Sequence, residues 1–234
     1  MFSTAFLVQA LFVSTTFAIP SSKERFAARR ARRSSGTTRQ SKPVNLITNH
    51  VTTSNTSHVE YSGNWAGAVL VASTATYKAV TGTFTAPTPD AWVGIDGDIC
   101  DTAILQTGVD FCIEGTQVAY SYPADSDDFD ISFSAGDSVT VTATVSSTTS
   151  GTLEIINHSK GTSVSKSISS SAKLCEYNAE WIVEDFEECE GDNCSLVPFA
   201  DFGTVMFTGA EATTSSGTVT PADATTIDIE QSKV

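Results

Sequence analysis

The stretch Ala91–Cys112, AWVGIDGDICDTAILQTGVDFC, decides the reading of the fold. Ala91–Ile95 is an apolar run holding a Trp and β-branched residues, the composition of a strand. Asp96-Gly97-Asp98 is turn chemistry, with Gly available for φ > 0. Asp101–Asp110 then predicts a second strand with one odd residue. Thr102–Leu105 is largely apolar, and Gln106 stands where another apolar side chain would pack better. On a strand, Gln106 shares a face with Ile104 and opposes Leu105. A buried Gln must find partners for its carbonyl and both N–H groups or cost free energy. A Gln on a half-wet face, or one tied to neighbouring backbone, is the plainer reading of the spacing alone.

Ala179–Glu188, AEWIVEDFEE, pairs with it. As a strand it puts Glu180, Ile182, Glu184 and Phe186 on one face, and Trp181, Val183 and Asp185 on the other. Two acids among Ile and Phe make a poor core and a poor solvent face. Desolvation would raise the pKa of such a carboxylate and make it a candidate general base. An edge strand with one wet face is the plainer alternative.

Outward from these stretches the chain reads as all-β. Val59–Pro89 alternates in short segments broken at Gly82 and Pro87, and Ile113–Tyr122 is another strand. Asp125–Asp130 reads as a solvated acidic loop; its carboxylates lack the spacing of an EF-hand calcium loop. Ile131–Val145 predicts two strands around Ala135-Gly136-Asp137, and the alternation Val139, Val141, Ala143, Val145 is the cleanest period-2 signal in the chain. Thr149-Ser150-Gly151 reads as a turn, followed by strands over Leu153–Asn157 and Thr162–Ile168. No run reaches twelve residues with helical periodicity. The expected architecture is a β-sandwich of two antiparallel sheets.

Charge and processing signals divide the 234 residues. Residues 1–18 are a short apolar run ending in small residues, the pattern of a secretory signal peptide, so a secreted, extracellular protein is expected. Residues 19–58 are polar and basic around Arg29-Arg30-Ala31-Arg32-Arg33, and cannot bury a core of their own. Eight of the 13 basic residues lie between Lys23 and Lys42 against one acid, Glu24, which leaves the rest of the chain with five basic and 26 acidic residues. Such a negative balance excludes nucleic acid as a partner. It favours an acid medium, where self-repulsion falls. A basic propeptide over 19–58, held by the acidic domain over 59–234 through its arginines, is the expectation. No later span suits a membrane.

Five cysteines, Cys100, Cys112, Cys175, Cys189 and Cys194, should be oxidised in a secreted protein. Cys189 and Cys194 bracket a short loop. No C-x-x-C occurs and the three His are scattered, so no zinc site is expected. Asn55, Asn157 and Asn193 lie in glycosylation sequons.

The runs AWVGIDGD, AILQTGVDF and NAEWIVEDFE, with Gly63-Asn64-Trp65-Ala66-Gly67 upstream and Val197-Pro198-Phe199-Ala200-Asp201-Phe202 downstream, resemble the eqolisins, the glutamic peptidases of filamentous fungi. The resemblance runs from about Tyr61 to Gln231. It implies a sandwich of two antiparallel sheets of concanavalin-like form, and a catalytic pair that falls on Gln106 and Glu184, with Glu180 the other acid in reach of the alignment. It places Trp92, Asp96 and Asp110 as lining or supporting residues, and pairs Cys100 with Cys175. It implies a monomeric acid endopeptidase, without metal or cofactor, acting on protein or peptide substrates and restrained by its own propeptide. Three departures stand out: Thr88-Pro89-Asp90 replaces a longer loop, Val118–Pro123 lacks the Glu and two Trp of the family's aromatic block, and two further β segments follow Asp-Ile-Glu-Gln in relatives. These departures leave a non-catalytic sandwich that binds carbohydrate or protein as the alternative.

Overall fold

The computed structural model describes residues 37–47, 59–86, 91–112, 115–122, 125–196 and 204–231. The strands are β1 (Thr37–Gln40), β2 (Val59–Ser62), β3 (Trp65–Val71), β4 (Tyr77–Thr85), β5 (Ala91–Ile95), β6 (Leu105–Cys112), β7 (Gly115–Tyr122), β8 (Asp125–Asp128), β9 (Ser138–Ser147), β10 (Ser150–Asn157), β11 (Thr162–Ser169), β12 (Asn178–Glu184), β13 (Glu187–Glu190), β14 (Asn193–Leu196), β15 (Thr208–Thr214), β16 (Gly217–Val219) and β17 (Thr225–Ile229). They form an eight-stranded sheet, β2-β17-β3-β12-β5-β6-β7-β8, a six-stranded sheet, β11-β10-β9-β4-β15-β16, and a small sheet, β1-β13-β14. The two large sheets stack as a sandwich. Pairing is antiparallel except between β2 and β17, which run parallel.

The alternation of Val139, Val141 and Ala143 on β9 and of Leu153 and Ile155 on β10 sends one apolar face inward. They meet Val93, Ile95, Leu105, Val109, Ala179 and Trp181 from the eight-stranded sheet in one core. Trp181 satisfies its indole by donating to the Thr81 carbonyl at 2.8 Å. The outer face of the eight-stranded sheet carries a second cluster, Trp65, Val69, Ile104, Ile182 and Ile227, with Val44 packed on it. Covered on both faces, β5 and β12 are buried along their whole length. That explains why AWVGI and NAEWIVE read as runs rather than as clean alternation.

Several local expectations are corrected. The second strand of the opening stretch starts at Leu105, not Asp101. Only the later half of Ile131–Val145 is a strand. Ile131–Ser134 instead takes its bonds from side chains: the Ser132 carbonyl accepts from Asn157 Nδ2 at 3.1 Å and Lys160 Nζ at 3.3 Å, and Ser134 N–H donates to Asp137 Oδ2 at 2.7 Å. Asn157 is fully buried in that network, which removes it as a glycan acceptor. The β9–β10 turn sits at Thr148-Thr149, earlier than expected, and a register shift at Ser150/Gly151 absorbs the difference. Asp125–Asp128 is an edge strand, β8, rather than a loop. Charged residues suit an edge because they discourage further pairing.

Part of the basic segment lies on the domain. The signal peptide and the arginine cluster lie outside the described residues, but 37–47 lie against the domain. β1 pairs with β13 over Thr37↔Glu190 to Gln40↔Glu187. Leu46 bridges Ser62, and Ile47 N–H donates to the Tyr61 carbonyl at 2.7 Å. The loop 87–90 and the segment 197–203 also lie outside the described residues.

Candidate active site

Register brings the candidate residues together. On the outer face of the eight-stranded sheet, Gln106 of β6 lies opposite Gly94 of β5, and Gly94 opposite Glu180 of β12. Farther along β12, Ile182 lies opposite Trp92, and Glu184 opposite Trp65 of β3. The period of two read from the sequence therefore holds: Glu180, Ile182 and Glu184 share the face of Gln106, and Leu105 and Trp181 point into the sandwich.

Two glycines make room on this face. A Cβ on Gly94 would stand 2.4 Å from Glu180 Oε1 and 3.1 Å from Gln106 Cβ. A Cβ on Gly108 would stand 2.7 Å from the Trp92 ring. The missing side chains let Glu180 and the Trp92 indole lie across neighbouring strands, flanking Gln106.

Gln106 and Glu184 converge on a single hydroxyl. Gln106 Nε2 donates to Ser41 Oγ at 2.5 Å, and Ser41 Oγ donates to Glu184 Oε2. Lys42 N–H donates to Glu184 Oε1 at 3.0 Å. Gln106 and Glu184 are 2% and 1% exposed. Burial pushes the Glu184 carboxyl up to about 7, against the pull of Ser41, the Lys42 N–H and the Trp65 indole, while Asp185 adds to the rise. Asp185 is itself buried and raised; Gln231 Nε2 donates to its Oδ2 and to the Gly63 carbonyl.

Glu180 is different in kind. It is 1% exposed and, among the described residues, neither oxygen has a hydrogen-bond partner. Burial, then Asp96, Asp98 and Glu184, drive its pKa well up.

Asp96 is a scaffold residue. It is fully buried at φ 67°, a left-handed conformation that Asp tolerates. Its carboxylate accepts the N–H groups of Cys175, Glu176, Tyr177 and Asn178 at 2.8, 2.8, 2.7 and 3.3 Å. Burial raises its pKa against those four donors. The Cys100–Cys175 disulfide closes beside it, so the turn after β5 is fastened to the chain entering β12. The Cys189–Cys194 disulfide closes the β13–β14 hairpin. These sulfurs are the ones that approach Asp96 and Glu187, and as disulfides they make poor metal ligands. Of the expected residues, the Asp110 side chain and the partner of Cys112 lie outside what is described. The sequence names Lys42 only as a basic residue and Asn64 only within the run Gly63–Gly67, and gives neither these nor Ser41 a place in the site. The run Pro43-Val44-Asn45-Leu46-Ile47, apolar after a basic stretch, was the available signal.

Residues 63–234 match the Peptidase A4 family. The chain belongs to that family. Aspergillopepsin-2 of Aspergillus niger is 43% identical over 269 residues, spanning 98% of this chain and 92% of that protein. Scytalidopepsin B of Scytalidium lignicola is 40% identical over 240 residues, spanning 95% and 89%. The crystal structure of scytalido-glutamic peptidase with a peptide-based transition state analog aligns with a TM-score of 0.65 at 43% identity, over 70% of this chain and 86% of that one. Aspergilloglutamic peptidase from Aspergillus niger aligns at 0.56 with 51% identity, over 66% and 88%. This Peptidase A4 chain is thus a glutamic-type endopeptidase with the family's β-sandwich.

Proposed function

We propose that this is the secreted zymogen of an acid-acting endopeptidase in which Glu184 is the general base and Gln106 the oxyanion donor. The observation that carries the reading is the convergence of Gln106 Nε2 and Glu184 Oε2 on one hydroxyl oxygen, that of Ser41. A water in that place would be held by the amide and deprotonated by the carboxylate. Its oxygen attacks the peptide carbonyl carbon, and its proton passes to Glu184. The Gln106 N–H stabilises the oxyanion. Glu184 then gives the proton to the leaving nitrogen as the C–N bond breaks, yielding a carboxylic acid and an amine without an acyl-enzyme.

The same contacts support a propeptide over residues 19–58. With Ser41 and Lys42 in place, no water can take the central position. Burial raises Glu184 in this closed state, against the pull of the Ser41 and Lys42 bonds. When they leave, solvent returns and the carboxyl falls back toward the ordinary Glu range near 4, where a base for acid work must ionise. The resemblance at the N-terminus to a signal peptide, the two disulfides and the fungal relatives support secretion.

The test is cleavage of a denatured protein substrate at pH 3–5 after acid treatment of the chain. Gln106→Ala and Glu184→Gln should each abolish cleavage while leaving thermal unfolding cooperative, and pepstatin should have no effect. Full activity in either variant, or strong inhibition by pepstatin, would overturn the assignment. Loss of activity in Glu180→Gln with Glu184→Gln intact would move the base to Glu180.

A further inference from the structure

We propose that Asn64 is the receptor for the substrate backbone on the C-terminal side of the scissile bond; this rests on the peptidase reading above. The segment 41–45 shows the path. Lys42 N–H sits on Glu184 Oε1 at 3.0 Å, the place from which a leaving nitrogen takes its proton, and Ser41 precedes it at Gln106. The Ser41–Lys42 bond is therefore in register with the pair, and Lys42, Pro43, Val44 and Asn45 stand as the first to fourth residues after a scissile bond.

Asn64 meets this backbone with both ends of its side-chain amide. Nδ2 donates to the Pro43 carbonyl at 3.1 Å and, at 3.5 Å, to that of Lys42. Oδ1 accepts the Asn45 N–H at 2.8 Å. A carbonyl at one residue and an N–H two residues on are the groups a neighbouring strand would engage. Ser62 fixes the orientation: its hydroxyl donates to Asn64 Oδ1 at 2.9 Å and accepts the N–H of Asn64 and of Trp65. The reverse amide orientation would set acceptor against acceptor on one side and donor against donor on the other. Asn64 is 4% exposed with the segment in place; without a peptide strand Nδ2 loses its two carbonyl acceptors and Oδ1 keeps Ser62. Between these contacts Val44 N–H donates to the Gly97 carbonyl at 2.9 Å, and the Val44 side chain packs on the outer-face cluster of Trp65, Val69, Ile104, Ile182 and Ile227.

One consequence is specific. The site should require an N–H at the fourth residue after the cleaved bond, and should refuse Pro there.

The experiment uses the acid-activated chain and fluorogenic peptides extended by two to five residues beyond the cleaved bond. In the wild type, adding the fourth residue should raise kcat/KM by about tenfold, the worth of one well-made hydrogen bond. Replacing that residue's N–H by an ester oxygen should remove the gain. In Asn64→Ala both effects should vanish, with the loss in KM rather than kcat. A wild type that cleaves but ignores the ester overturns the proposal whatever the variant does, as does an Asn64→Ala enzyme that still responds to it. A wild type that cleaves no peptide defeats the peptidase reading, and the proposal with it.

Discussion

Glu184 makes the stability of the closed chain depend on pH in a calculable way. Its carboxyl is raised from 4.5 to about 7 in the folded protein, chiefly by burial. The folded state therefore holds this proton more tightly than the unfolded state. Between those values the native chain binds more protons, so stability is fullest below about pH 4.5 and falls as pH rises toward 7. The whole window is worth about 3 kcal/mol, at roughly 1.4 kcal/mol per unit. Most of it is lost between pH 4.5 and 7. The perturbation is Glu184→Gln, made in a Gln106→Ala background so that neither chain processes itself; Gln106 is not among the groups that shift Glu184. Urea unfolding across pH 4.5–7.5 should give a falling curve for the parent, and one flatter by about 3 kcal/mol for the double variant. Asp96, Asp185 and Glu180 are also raised, and they keep a residual slope of the same sign in both chains. Glu184 also adds to the rise at Glu180, so its removal flattens the curve slightly more. Parallel curves would refute the claim that burial raises Glu184 in the folded chain.

Gly94→Ala should cost about 1–3 kcal/mol by overpacking, because its Cβ would fall 2.4 Å from Glu180 Oε1; it should also depress kcat by displacing Gln106, and an unchanged melting temperature would refute this. Asp96→Asn should cost more, about 3 kcal/mol or above, because an amide cannot accept four N–H donors on two carboxylate oxygens. Thermal melts should show it, and hydrogen exchange should quicken first at Cys175–Asn178.

The period-2 pattern and the residues of the two central stretches made the sandwich legible. It also made legible which face each acid takes, because burial on a strand forces that alternation. Gln106 stood out because an amide among apolar residues has no packing reason to be there. Other parts depend on topology that no local pattern encodes. Ser41 meets Glu184 across 143 positions, and Asn64 meets Pro43 across 21. Polar residues in connecting segments carry no periodicity to mark them. The segment 19–58 was read by average composition, which hid the apolar residues Val44, Leu46 and Ile47 behind its charge. Ile131–Ser134 failed for a related reason. Its alternation is strand-like, but side chains from Asp137, Asn157 and Lys160 take its backbone groups first.

The contacts of the segment 37–47 also change how acid would free it. The expected hold was arginine on carboxylate, lost as carboxylates protonate. The segment holds an ion pair from Lys42 Nζ to Glu187 at 3.5 Å, with Lys42 41% exposed. Such a pair is worth little. Other holds are backbone hydrogen bonds, the Asn64 amide on Pro43 and Asn45 and the packing of Val44, none of which titrates, and the contact at Glu184, which titrates the other way. Glu184 has a higher pKa under the segment than when open to water, so binding takes up a proton. As far as this group goes, acid tightens the segment. Release on acidification must then come from groups of the opposite sign, carboxylates depressed by the arginine cluster, or from cleavage of the chain itself. The two contributions separate by length. A synthetic peptide covering residues 37–47 should inhibit the acid-activated enzyme more tightly at pH 5 than at pH 7, by up to about tenfold per pH unit, the limit for one linked proton. A peptide extended back through Arg29 should show a weaker trend or the reverse, and 0.5 M salt should restore the behaviour of the short one, because exposed pairs are screened. A short peptide that binds more weakly at pH 5 than at pH 7 would show that Glu184 is already ionised beneath Ser41, and the account of both the closed site and its opening would fail together.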